Sequence, residues 1–234
     1  VICHLSSIPG GKLGAPARAF VDYLQSAGMS YWQVLPLNPP GLGNSPYSSN
    51  SAFAGNPDFV NYDELPSSAG YEEFYSENSY WLDDYTGYLC ERQGLSDTER
   101  AKVELAQYYF AVQWQQLKEY ANSRGISLIG DLPVFVSADS ADVWANRRLF
   151  QIDEDGRQRC HAGVPPDYFS PEGQDWGNPL YDWDALKATG YDWWIRRLDQ
   201  CRKRYDYVRM DHFRSFSEYY AIPEGDTPAE GRWQ

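Results

Sequence analysis

Val208-Arg209-Met210-Asp211-His212-Phe213-Arg214 is the run of residues with the most chemistry in it. If residues 205–210 form a strand, alternate side chains share a face. Arg209 and Asp211 then project together, while Val208 and Met210 project the other way. A guanidinium beside a carboxylate favours the ionised form and fixes its direction. An ionised, oriented carboxylate at the mouth of a parallel barrel is what a retaining glycosidase uses as nucleophile. The same spacing also fits a structural Arg–Asp pair, and spacing alone does not choose between the two. Asp131 closes the apolar run 127–130 and precedes Leu132-Pro133. It could accept hydrogen bonds from sugar hydroxyls, but the local sequence favours a cap on the following turn. Ser45-Pro46-Tyr47 and Trp176-Gly177-Asn178-Pro179 read either as rigid turns filled by an aromatic or as platforms for a sugar ring. His212 and Ser45 join Tyr47, Trp176 and Asp131 as candidates on the substrate side.

Positioning these groups requires a frame, and the apolar pattern supplies one. Residues 1–5, 31–35, 126–130 and 205–210 read as buried strands. Helical spacing separates them. Residues 16–27 carry Ala19, Phe20, Tyr23 and Leu24 before the stop signal Gly28. A capping box at Ser96 and Glu99 opens a helix with Val103, Ala106, Phe110, Trp114, Leu117 and Ala121 on one face, ending at Gly125. A further helix is expected over residues 182–204. Alternating strands and helices imply a parallel sheet with crossover helices. The stretch 41–96 reads as a loop insertion after the second strand, and 157–181 as a lid-like loop after the third. Residues 222–234 read as irregular. A complete (β/α)8 barrel needs about 250 residues, so four strands with large insertions predict an α/β fold that is the N-terminal half of such a barrel.

Bulk properties narrow the partners. A formal net charge of −13 argues against nucleic acid, whose phosphates demand excess Lys and Arg. No apolar run approaches the ~20 residues that span a bilayer, so no membrane partner is expected. Val1 in place of Met points to a start further upstream, no signal peptide is evident, and a cytoplasmic location is the default expectation. The four cysteines are far apart and read as reduced thiols. With three scattered histidines they offer no metal-ligand spacing, so no metal is expected. Nine Trp and 19 Tyr supply flat apolar faces with polar tips, which suit sugar rings, although most must simply pack the core.

Taken together, several motifs resemble the amylomaltase, or disproportionating enzyme, family (glycoside hydrolase family 77). They are Trp32-Gln33-Val34-Leu35-Pro36-Leu37, Ser45-Pro46-Tyr47, Ser51-Ala52-Phe53-Ala54-Gly55-Asn56-Pro57 and Gly130-Asp131-Leu132-Pro133-Val134-Phe135-Val136. Gly163-Val164-Pro165-Pro166-Asp167-Tyr168-Phe169-Ser170, Trp176-Gly177-Asn178-Pro179-Leu180-Tyr181 and Arg209-Met210-Asp211-His212-Phe213-Arg214 complete the set, in family order. The resemblance implies a (β/α)8 TIM barrel of the α-amylase clan, 4-α-glucanotransferase activity on maltooligosaccharides, and no cofactor. It implies that Asp211 is the nucleophile, Arg209 the residue that orients it, and Asp131 and Tyr47 substrate contacts. Trp176 falls in the segment resembling the family's lid.

Ser215 stands where the family usually has glycine, and the Gly10-Gly11-Lys12-Leu13-Gly14 stretch is shorter than usual. The family's acid/base glutamate has no match before Gln234, and Glu218, Glu224 and Glu230 lie outside its context. The expectation is therefore a fragment without its general acid, inactive alone and able to self-associate through an open barrel edge. A plain α-glucan hydrolase and a non-catalytic carbohydrate-binding fragment are the alternatives.

Overall fold

The computed structural model describes residues 1–234. An extended segment around Ile2 pairs in parallel with Gln33. After it come helix α1 (Ala15–Ser26), strand β1 (Tyr31–Gln33), and helices α2 (Tyr71–Gln93) and α3 (Asp97–Ser123). Strand β2 (Ser127–Leu132) leads to the short helix α4 (Ala141–Ala145), then to strands β3 (Cys160–Val164) and β4 (Gln174–Pro179). Helices α5 (Trp183–Ala188) and α6 (Asp192–Arg204) precede strand β5 (Tyr207–Met210), and strands β6 (Tyr220–Pro223) and β7 (Arg232–Trp233) finish the chain.

Strands β1, β2 and β5 form a parallel sheet in that order, with the Ile2 segment outside β1. Four parallel segments therefore lie side by side in sequence order, as expected of half a barrel. The first is only a bridge, held by the Cys3 N–H to Gln33 O (3.0 Å) and the Gln33 N–H to Val1 O (2.8 Å). The far edge of β5 has no strand beside it, and Tyr207 and Val208 there are exposed. One core cluster packs α1 and α3 on the strands through Val21, Leu24, Trp32, Phe110, Trp114 and Leu128. The other joins α2, α4, α5 and α6 to the segment after β2 through Leu82, Tyr85, Val134, Tyr181, Leu186 and Trp193. No helix is long and apolar enough to cross a membrane.

Four stretches depart from the sequence reading. The stretch 41–96 contains the 23-residue α2, whose Asn78, Trp81, Leu82, Tyr85, Tyr88 and Leu89 are buried at helical spacing. Charged and aromatic residues on its other faces hid that stripe. The single helix expected over 182–204 is two, because Gly190 (φ 65°) and Tyr191 (φ 60°) adopt left-handed backbone between them. Residues 157–181 and 222–234 are not irregular. They supply the antiparallel sheet β4-β3-β6-β7, in which strands from before and after β5 meet. Pairing between segments about 60 residues apart leaves no mark in local periodicity.

Candidate active site

The parallel register of β2 and β5 sets Asp131 directly beside Arg209. Arg209 Nη1 donates to both oxygens of Asp131, at 2.7 and 2.8 Å, and Nη2 donates to Asp211 Oδ1 at 2.5 Å. One guanidinium thus spans two carboxylates. The Tyr47 hydroxyl donates to Asp131 Oδ2 at 2.6 Å, tying the loop after β1 to the same ion chain. Burial and then this bond to Asp131 push the Tyr47 phenol up to about 12, so it remains a donor at neutral pH. The backbone of Asp211 continues the ladder one residue past β5, its N–H donating to Leu132 O (2.9 Å). His212 then turns away with left-handed backbone (φ 46°), which leaves the Asp211 carboxylate on the strand's carboxyl end.

Asp211 opens on a cleft of about 270 Å³ walled by Tyr47, Phe135, Trp176, Asn178 and His212. It is the one carboxylate among the lining residues. The Trp176 ring meets His212 edge-on, with centroids 5.0 Å apart. His212 Nε2 is buried without a partner, and burial lowers the His212 pKa, so the ring is neutral at physiological pH. An apolar aromatic wall, a neutral imidazole and a fixed carboxylate suit a neutral polyol.

The floor of this cleft rests on Arg197, which is buried on α6. Its Nη2 donates to Pro133 O (2.6 Å) and its Nη1 to Val134 O (3.2 Å), while Trp193 and Trp194 flank its guanidinium. The Tyr181 hydroxyl also donates to Val134 O (2.8 Å), and Asn178 Nδ2 donates to Val136 O (2.7 Å). The irregular segment after β2 is therefore pinned by side chains.

Of the residues singled out by sequence, Asp211, Arg209, Asp131, Tyr47, Trp176 and His212 converge here. Ser45 does not line the cleft; its hydroxyl accepts the Tyr47 N–H (3.3 Å) and shapes the turn that presents Tyr47. Asp131 is not a cap. It is buried, with its oxygens occupied by Arg209 and Tyr47. Phe135, Asn178 and Arg197 were missed; a buried arginine inside a charged helix carries no sequence signal that separates it from a surface one. The three later glutamates are engaged elsewhere. Glu218 pairs with Arg214, Glu224 with His161, and Glu230 caps Thr227.

The model of the 4-alpha-glucanotransferase family, glycoside hydrolase family 77, matches residues 3–70 and 91–234. The chain belongs to this family. The break between the two matched stretches falls inside α2. Among this family's members, the 4-alpha-glucanotransferase of Aquifex aeolicus is 38% identical over all of the chain and 63% of its own length. That of Thermus thermophilus is 37% identical over all of the chain and 62% of its length. The chain thus spans less than two thirds of these relatives. The amylomaltase from Streptococcus agalactiae, solved in complex with acarbose, superposes with a TM-score of 0.88 at 34% identity, covering 100% of this chain and 63% of that one. The amylomaltase from Corynebacterium glutamicum shares the fold at 17% identity, with a TM-score of 0.86 and coverage of 100% and 43%.

Proposed function

We propose that these residues form the nucleophile half of a 4-α-glucanotransferase site, with Asp211 attacking the anomeric carbon of an α-1,4-glucan. The ion chain Asp131–Arg209–Asp211 carries this reading. A buried carboxylate holds the guanidinium, the guanidinium aims the exposed carboxylate, and that carboxylate faces an aromatic cleft. Support also comes from the acarbose complex of the Streptococcus agalactiae relative.

In the first step, an Asp211 oxygen bonds to C1 as the C1–O4 bond breaks, and the leaving oxygen takes a proton from a general acid. In the second, the 4-hydroxyl of an acceptor glucan attacks C1, gives up its proton to the same group, and releases Asp211. Retention requires that second carboxyl about 5–5.5 Å from Asp211. Asp211 is the only carboxylate lining the cleft and the later glutamates are engaged elsewhere, so in this reading the second group comes from outside these 234 residues. The unpaired edge of β5 is the place for the next barrel strand, or in its absence for a second copy of the chain. Trp176 and the strand that carries it would exclude water in favour of an acceptor sugar.

An α-glucosyl fluoride tests the assignment, because fluoride departs without protonation and the first step then needs only the nucleophile. The expected product is one glucosyl group on Asp211, found by intact mass and peptide mapping, and lost in Asp211→Asn. Labelling that survives this substitution, or a wild-type chain that never labels, would overturn the reading. With maltotriose, the chain alone should release negligible glucose.

A further inference from the structure

His161 occupies an inner strand, β3, of the antiparallel sheet, with carboxylates on both sides. Its Nδ1 lies 3.1 Å from Asp175 Oδ2 on β4, and its Nε2 lies 2.6 Å from Glu224 Oε2 just past β6. Ionised carboxylates only accept hydrogen bonds, so both ring nitrogens must donate, which only the imidazolium form does. A neutral ring would turn one lone pair toward a carboxylate. Arg159, Asp226 and Arg232 are the other charged groups near this part of β3. Arg159, before β3, reaches toward Asp182 at 3.7 Å, and Asp226 lies in the turn after Glu224.

The bond to Asp175 reaches the cleft through Trp176, the next residue along β4. The other Asp175 oxygen accepts the Gly177 N–H (2.8 Å), so this one carboxylate braces the backbone on both sides of Trp176. The β3–β4 pairing also slips in register between His161 and Gly163. A bulge interrupts the backbone ladder and leaves side chains to hold the strands together there.

We propose that His161 is a positioning residue for the cleft: doubly protonated, it clamps β4 between Asp175 and Glu224 and so holds Trp176 over Asp211. The link to glucan transfer rests on the function proposed above; the clamp itself does not. Burial lowers the His161 pKa, but the hydrogen bonds and charges of Asp175 and Glu224 outweigh burial and raise it above the ordinary value of about 6.5. A basic group whose folded-state pKa is raised stabilises fully below the unfolded value and loses that contribution as pH rises through the folded one. The clamp therefore holds at mildly acidic and neutral pH and relaxes on the alkaline side.

The test follows imidazole nitrogen shifts and backbone hydrogen exchange in the 234-residue chain. With only three histidines, each titration is assigned by substitution. His161 should remain doubly protonated above the ordinary histidine range. Protection of the β4 amides should fall about fivefold between about pH 6 and about pH 8.5, the equivalent of one net hydrogen bond. His161→Lys should hold protection steady across that range, and His161→Gln should give the low value throughout. If His161→Gln does not fold, the exposed Glu224→Gln should lower both the His161 pKa and the β4 protection. A His161 titration at or below the ordinary value, or a pH dependence that persists in His161→Gln, would overturn the clamp. Neither readout needs glucan or turnover, so failure of the Asp211 assignment would be seen separately.

Discussion

Replacing Arg209 with Met removes the guanidinium and keeps most of the alkyl stem. The Asp131 side chain, only 1% exposed, then loses two of its three hydrogen bonds and retains the one from Tyr47. Stranding one partner of a buried pair costs about 3–5 kcal/mol. The Arg209 side chain is 45% exposed, however, so solvent already screens this pair and water can enter the vacated space. Both effects reduce the expected loss to about 2–3 kcal/mol. Adding Asp131→Asn to that background should make the protein more stable than Arg209→Met alone. The amide removes the stranded charge and can still bond Tyr47, recovering about 1–2 kcal/mol. Urea unfolding at constant m-value measures all four species of the cycle. A double variant no more stable than Arg209→Met would refute the claim that Asp131 serves chiefly as the buried counter-charge of Arg209.

Two further substitutions probe the frame around the site. Asp142 is buried against the Ala52 N–H, and burial pushes its carboxyl up to about 6. The unfolded chain ionises first, so this residue should make stability fall as pH rises from about 4 to about 6, and then level off. Asp142→Asn should therefore raise the Tm at about pH 7 and leave it unchanged at about pH 4, and equal shifts at both would contradict the argument. A Cβ on Gly130 would sit 2.3 Å from the Tyr205 ring, so Gly130→Ala must push β2 off its neighbours beside Asp131. Thermal melts should register a loss of about 1–3 kcal/mol, and an unchanged melt would mean the strand shifts freely.

The frame was largely legible because its signals are local. Short apolar runs marked the parallel strands, and Ser96 with Glu99 announced α3 through a capping box present in the structure. The Arg209–Asp211 pairing followed from strand periodicity alone. What Asp131 does was not legible, because its partners lie 78 and 84 residues away in sequence and either local reading was open. Helix α2 escaped because its buried stripe includes Asn78 and Thr86 among aromatics with polar tips, which blurs apolar spacing. The antiparallel sheet escaped for another reason. Its strands are short, and the β3–β6 pairing that joins its two halves reaches across β5, beyond any local window of sequence.

That pairing dictates an order of assembly. Strands β3 and β4 leave the ribosome before the strand that aims Asp211, but β6 and β7 leave after it. The seat of the nucleophile can thus be built while its roof still waits for Trp233. Opening the roof from the Trp233 side would widen access to the nucleophile Asp211, whose side chain is already 36% exposed, without disturbing the ion chain beneath. Proteases and hydrogen exchange should meet the molecule in that sequence, roof first and seat last.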